Sequence, residues 1–461
     1  PAEPQPPGRR PKHPIRKGET QAAPPPADEP DWMVCMAMQA SSANELQSSS
    51  IDCAGEMCSV ARQPILNLSG RLHGYELLFR NPPGTARNAA GDASISALVD
   101  DAVIFGLDRF TNGFPAFVSC PPEVLTGQLV RILPPELTVL AIAESVEPAP
   151  SLLEACRELK SRGFRFALDD YTGKPHPLLE LAGYVRVDFS GRGVPGREQL
   201  RRGLGRSSAA MAAKRVETEE DYHRAVAEGF TLFQGDYLVR PTLVKGRKVP
   251  ANRLSQFEIL RSLYQDPVDL KKLGLLVMRD AALTYRLLRL VNSPACALRQ
   301  EVRSVESAII IVGVDTFRHF ATVAILGEVS FAEQREILHM ALVRARFCEE
   351  AARVNRLDAN EQYLLGMFSL LPAMMRVPMC ELTPALPLRD EVRQALEGTQ
   401  NRERCLLQWL ECHEHGRWED CDCIVKKNHL SQELLIGCYG DAVVWSQAAL
   451  RSATESTAKA S

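Results

Sequence analysis

The sequence predicts a multidomain α/β and all-α protein: a TIM-like β/α barrel followed by an all-helical domain. Three observations predict it. Short β-rich runs alternate with helix-forming stretches up to about residue 240. Six polar residues, Ser119, Glu144, Asp169, Asp188, Lys214 and Gln234, stand at or just past the ends of those runs, at separations of 25, 25, 19, 26 and 20 residues. Past Pro250 the apolar residues switch to three- and four-residue steps and strand signals nearly vanish. A closed barrel brings every strand end to one mouth, whereas a doubly wound open sheet gathers only some of them. No glycine-rich phosphate loop marks the switch point such an open sheet would have.

Composition sets the outer limits. The chain has 461 residues, 45% hydrophobic and 24% charged, enough carbon to bury real cores. A net charge of −3 supplies no field to hold nucleic acid or an anionic membrane, so neither is an expected partner. The apolar run Ala308 to Val314 stops at Asp315, far short of the roughly 18 residues a membrane span needs. No secretory leader is expected, and thirteen cysteines scattered from Cys35 to Cys438 read as reduced thiols of a cytoplasmic protein.

Taken in order, ten prolines among the first thirty residues predict a disordered arm over residues 1–57, since so little apolar surface cannot offset the entropy of ordering. The barrel is expected over 58–245. Its candidate strands are Ala116 to Ser119, Leu137 to Ile142, Phe164 to Leu168, Tyr184 to Val187, Ala209 to Ala213 and Thr231 to Phe233, and strand–helix–strand order predicts a parallel sheet. Charge and proline in Lys245-Gly246-Arg247-Lys248-Val249-Pro250 mark the boundary. The helical domain follows over 250–450, with expected helices at Gln256 to Tyr264, Leu270 to Met278, Ala281 to Val291, Val305 to Ile311 and Val314 to Ile325. Residues 451–461 read as a flexible tail.

Several motifs sharpen this outline. Val60-Ala61-Arg62-Gln63-Pro64-Ile65 and Gly74-Tyr75-Glu76-Leu77-Leu78-Phe79-Arg80 resemble the opening of EAL domains, bacterial β/α barrels that hydrolyse cyclic di-GMP. Ala143-Glu144-Ser145, Leu168-Asp169-Asp170-Tyr171, Val185-Arg186-Val187-Asp188, Val216-Glu217-Thr218 and Phe233-Gln234-Gly235-Asp236-Tyr237 follow in the family's order. The second half is similar to HDOD domains through Leu287-Leu288-Arg289-Leu290-Val291-Asn292-Ser293, Ser304-Val305, Val312-Gly313 and Gly366-Met367-Phe368-Ser369-Leu370-Leu371. Together they resemble the two-domain EAL and HDOD signalling proteins.

That resemblance implies metal-ligating carboxylates at Glu76, Asp169 and Asp188, with Glu144 and Asp170 beside them, and nucleotide contacts at Arg80 and Gln234. It also exposes departures. The family's asparagine ligand falls on Ser119, a glutamate ligand on Ala141, the lysine implicated in activating water on Arg186, and a further glutamate on Lys214. A guanidinium stays protonated at ordinary pH and does not act as a base. The expectation is therefore a degenerate barrel with no catalytic residues at work and no cofactor, acting as a scaffold or regulator through contacts with other signalling proteins. Arg186 and Lys214 are expected to pair with Asp169, Asp188 and Glu144. Two alternatives stand beside it: a phosphodiesterase using the remaining acids with Mg or Mn, and a non-catalytic cyclic di-GMP receptor.

In the helical half the resemblance places the His-Asp pair of metal-dependent relatives on Ser369-Leu370, and none of the nine histidines is followed by aspartate. Cys405, Cys412, His413, His415, Cys421 and Cys423 offer zinc-type ligands, but Cys405 and Cys412 lie on a helical repeat whose apolar face predicts buried core thiols. Asn292-Ser293-Pro294 reads as a helix end before proline, and Phe317-Arg318-His319-Phe320 as core aromatics with solvated charges.

Overall fold

In the computed structural model the described residues are 59–80, 107–189, 197–205, 207–239, 251–264, 267–279, scattered positions from 283 to 325, 335–386 and 388–458. The arm expected over 1–57, the boundary at 245–250, and Asn292-Ser293-Pro294 lie outside them.

Eight strands close into a barrel in sequence order. They are β1 (Val60–Asn67), β2 (Leu72–Phe79), β3 (Ala116–Ser119), β4 (Thr138–Ala143), β5 (Arg165–Asp169), β6 (Tyr184–Asp188), β7 (Ala210–Lys214) and β8 (Leu232–Phe233). Helices α1 (Leu107–Thr111), α2 (Pro122–Thr126), α3 (Pro150–Ser161), α4 (Arg197–Leu204) and α5 (Glu219–Glu228) lie between strands in the chain. The six expected strands are present within a residue or so at each end. The expected set omits β1 and β2, and the sheet is not parallel throughout: β1 runs antiparallel to both β2 and β8. The cause is the short link after Asn67, which cannot hold a crossover. The Asn67 side chain accepts the amides of Ser69 and Arg71, each at 3.0 Å, and Gly70 takes φ 70° to close the hairpin.

Strands β4 and β5 are buried almost throughout, as expected where helices cover one face and a barrel core the other. Ile65, Phe117, Val139, Ala141, Ala167, Ala212 and Leu232 form the inner cluster, while a larger layer including Leu140, Leu159, Leu168, Val185 and Phe230 packs between strands and helices. Side chains alternate along a strand, so residues two steps from the inner cluster also face the lumen. On that parity Ser119, Asp169, Arg186, Lys214 and Gln234 rise from the cluster toward the mouth.

The rest of the described chain is helical: α6 (Ala251–Leu263), α7 (Leu270–Met278), α8 (Val305–Val312), α9 (Arg335–Asn355), α10 (Ala359–Phe368), α11 (Leu371–Met375), α12 (Met379–Leu382), α13 (Asp390–Leu396), α14 (Cys405–Glu414), α15 (Trp418–Asn428) and α16 (Gln432–Ala458). Asp269, Ser304 and Asp358 cap α7, α8 and α10 by accepting an amide three residues on. Helix α16 runs to Ala458, into the stretch 451–461 expected to be a tail. Phe317 is in the core as expected, but Arg318 is not solvated: it is buried, donates to the Leu263 carbonyl at 2.7 Å and lies over the Tyr264 ring. His319 and Phe320 lie outside the described residues. No described helix is long and apolar enough to cross a membrane.

Barrel and helices belong to one compact unit, Met57–Ser461. Their seam is polar and buried. Tyr75 donates to Glu336 at 2.9 Å, Arg62 reaches His339 Nε2 at 3.2 Å, and Gln63 donates to the Glu414 carbonyl at 3.1 Å.

Candidate functional site

The barrel mouth is built by the ends of its strands. Register sets Glu76 beside Gln63 on β1 and Phe117 on β3, and Asp188 beside Lys214. The centre of the mouth is the Arg186 side chain, which is fully buried. Its guanidinium meets Glu76 at 2.5 Å and Asp169 at 3.1 Å, donates to Gln234 Oε1 at 3.1 Å, and lies 5.6 Å from the centre of the Phe117 ring. Lys214 Nζ stands 3.2 Å from Asp169 and 3.6 Å from Glu76. Two carboxylates therefore face two cations, and the buried charge is balanced.

The titration of these groups follows from that balance. Burial opposes the Glu76 anion, but Arg186 and Lys214, with hydrogen bonds from Gln234 and Arg186, overcome it and hold the carboxyl at about 2. Asp169 is shifted up, first by burial and then by the charges of Glu76 and Asp170, with Arg186 and Lys214 pulling against it. Burial likewise opposes the Arg186 cation, and Glu76 and Asp169 more than offset it. A carboxyl whose folded value lies below its unfolded value stabilises above the unfolded value, and the contribution is lost as pH falls through the folded one. With Glu76 moving from 4.5 to about 2, wild type should lose about 3 kcal/mol from this group between about pH 5 and pH 2. Urea titrations at stepped pH check this, because Glu76→Gln should lack that part of the slope.

The other expected site residues are placed differently. Asp188 is held by Arg215, whose Nε is 2.9 Å from Oδ1, and Arg215 adopts φ 54°. Glu144 accepts the Thr172 amide at 3.1 Å, while Gln199 of α4 donates to the Thr172 carbonyl at 2.7 Å. The loop after β5 is thus pinned from both sides, with Asp170 exposed at φ 54°. The acids that Arg186 and Lys214 engage are therefore Glu76 and Asp169, and the expected pairing with Asp188 and Glu144 is corrected by register and loop geometry. Ser119 is exposed at the rim, and Ala141 is buried in the barrel interior.

Both expected nucleotide contacts are engaged within the chain. Arg80 grips Asp422 of α15 with both carboxylate oxygens, at 2.7 and 2.8 Å. Gln234 is buried and donates to Glu76 at 2.5 Å and to Gln63 at 2.7 Å. Sequence reasoning assigned no role to Gln63, Arg215 or Asp422. Nothing local marks them, because each partner comes from a distant stretch of chain.

In the helical half, Ser369 accepts from Arg344 at 3.1 Å and donates to the Gly366 carbonyl at 2.7 Å. Arg344 is buried and paired with Glu414 at 2.7 Å. Cys405, Cys412 and Cys421 are buried, as the helical repeat predicts for the first two, and Cys423 is exposed. His413 is enclosed by Trp409, Trp418 and Tyr439, and burial lowers its pKa to about 3. Among the described residues no group of three His, Cys, Asp or Glu side chains is arranged to hold a metal ion.

Comparisons with known proteins agree with this architecture. The HDOD domain family model matches residues 250–413. The chain is 30% identical over 399 residues to the uncharacterised protein YuxH of Bacillus subtilis, covering 84% of this chain and 97% of that one. It is 33% identical over 369 residues to the cyclic di-GMP phosphodiesterase CdgJ of Vibrio cholerae, covering 78% of this chain and 85% of that one. Among solved structures it is similar to the EAL domain of Xanthomonas citri FimX in complex with c-diGMP, at 15% identity and TM-score 0.32, covering 44% of this chain and 95% of that one. With an eight-stranded barrel leading into an HDOD region and relatives matched along most of their length, the chain belongs to the family of two-domain EAL and HDOD proteins.

Proposed function

We propose that this chain is a regulatory member of its family, a cytoplasmic protein of cyclic di-GMP signalling whose barrel has lost hydrolysis and which acts through contacts with other signalling proteins. One observation carries the reading: the guanidinium of Arg186 is buried between Glu76 and Asp169. Phosphodiester hydrolysis in such a barrel needs a divalent cation on hard oxygen ligands and a base for the attacking water. Here two of the carboxylates already neutralise Arg186 and Lys214, the third is held by Arg215, and no base stands in the lysine's place. The donor set does not fit a metal, and we derive no step through one. The nine described cysteines are all unpaired, in keeping with a reducing compartment.

The name of one relative, a cyclic di-GMP phosphodiesterase, favours a second reading, hydrolysis by Glu76, Asp169 and Asp188 with Mg or Mn. Incubating the pure chain with cyclic di-GMP and either metal separates the two. We expect no turnover above background, and cleavage that disappears in Glu76→Ala would refute the regulatory reading. Calorimetric titration with the dinucleotide tests the receptor variant, for which a ligand must displace Asp422 from Arg80 to reach that cation.

A further inference from the structure

The barrel and the helical half meet at a corner where the turn between α14 and α15 presses on the mouth's rim. Gly416 in that turn, at φ 65°, packs so close that a Cβ there would come within 3.2 Å of Leu78 Cδ1. Beside that contact, Arg80, just past β2, forms a salt bridge with Asp422 of α15. The adjacent His415 is half-buried, and its two ring nitrogens face two acceptors: Nδ1 lies 2.6 Å from the Glu411 carbonyl and Nε2 lies 2.8 Å from Asp236 Oδ1, just beyond β8. A neutral imidazole carries one N–H and satisfies one of these; an imidazolium satisfies both.

We propose that His415 is a proton-operated latch, which as an imidazolium clamps the α14–α15 turn to Asp236 on the barrel rim and on deprotonation releases that corner.

The carboxylates that act on His415 favour the cation. Asp236 faces it from the barrel, and from α14 come the Glu411 carbonyl and the Glu414 carboxylate, itself held by Arg344. The hydrogen bond from His415 to Asp236 raises the pKa, against a smaller effect of burial. The other histidine of the seam shows the opposite design. His339 Nε2 faces a donor, Arg62, at 3.2 Å, and its burial lowers the pKa, so that contact survives as a neutral ring. Because docking raises the pKa of His415, the clamp is complete below the ordinary value of 6.5 and is lost as pH rises through the docked value. The latch works whether or not the mouth binds a nucleotide.

The test uses the whole 461-residue chain. Proton NMR of the histidine ring, assigned with His415→Gln, should show His415 titrating above 6.5. Hydrogen exchange of peptides covering 232–239 and 412–418, corrected for intrinsic rates, should report more opening as pH rises from about 5.5 to about 8.5. The change should be about tenfold for each unit by which docking raises the pKa. His415→Gln should open to the same extent at every pH, and Asp422→Asn, which loosens the neighbouring salt bridge, should keep the pH dependence. The latch is overturned if His415 titrates at or below 6.5, if wild-type opening does not vary with pH, or if the variation persists in His415→Gln.

Discussion

Replacing Arg186 by methionine should lower the stability of the protein by about 3–5 kcal/mol. The side chain is fully buried, and it is the principal counter-charge for Glu76 and Asp169. Removing it leaves two buried carboxylates sharing Lys214 alone, at 3.2 and 3.6 Å. The cost is that of an uncompensated buried charge rather than the net worth of an ion pair, which often breaks even against apolar packing. Two further variants separate these contributions. Arg186→Lys keeps the charge but gives up the planar fork that reaches Glu76, Asp169 and Gln234 together, so it should cost less than methionine. The combined change of Arg186→Met, Glu76→Gln and Asp169→Asn removes cation and anions at once and should recover a large part of the loss. Urea unfolding followed by tryptophan fluorescence reads all three. A methionine variant within about 1 kcal/mol of wild type would mean that water, not Arg186, balances the acids.

Gly366→Ala should destabilise by about 3 kcal/mol, against the sign that helix propensity alone would give. Gly366 lies in α10 where it crosses α9, and a Cβ at that position would stand 2.3 Å from the Arg344 carbonyl oxygen, 2.6 Å from its carbon and 2.9 Å from the Ala345 nitrogen. All three are backbone atoms, so no side chain can swing aside and the helices must part. Parting them also disturbs Arg344, whose side chain holds Glu414 and Ser369. Gly437→Ala in α16 is the matched control, because a Cβ there meets nothing within 4 Å. It should stabilise by up to about 1 kcal/mol. Urea midpoints that move in the same direction for both glycines would show that the α9–α10 crossing is not closed by Gly366.

Much of the barrel could be read from the chain because its logic is repetitive and local. A β/α unit returns a strand end to the mouth about every two dozen residues, and side chains alternate with period two. Polar residues at Ser119, Asp169, Lys214 and Gln234 therefore declare a common face before any contact is known. Helices α7 and α8 were legible in the same way, from apolar steps of three and four. That the Arg186 side chain cannot serve as a base was also visible in sequence, because it is a property of the guanidinium itself.

Tertiary structure alone decided which charges meet. Arg186 finds Glu76 across more than a hundred residues of chain, Arg80 finds Asp422 across 342, and Tyr75 finds Glu336 across 261. No local period links such positions, so Asp188 and Glu144, nearer in sequence, looked like equally good partners for Arg186 and Lys214. The burial of Arg318 was hidden for the same reason. The amino-acid sequence determined which groups reach the mouth and what protons they can carry. Chain closure and the docking of the helical half determined their partners, because ion pairing depends on distance in space.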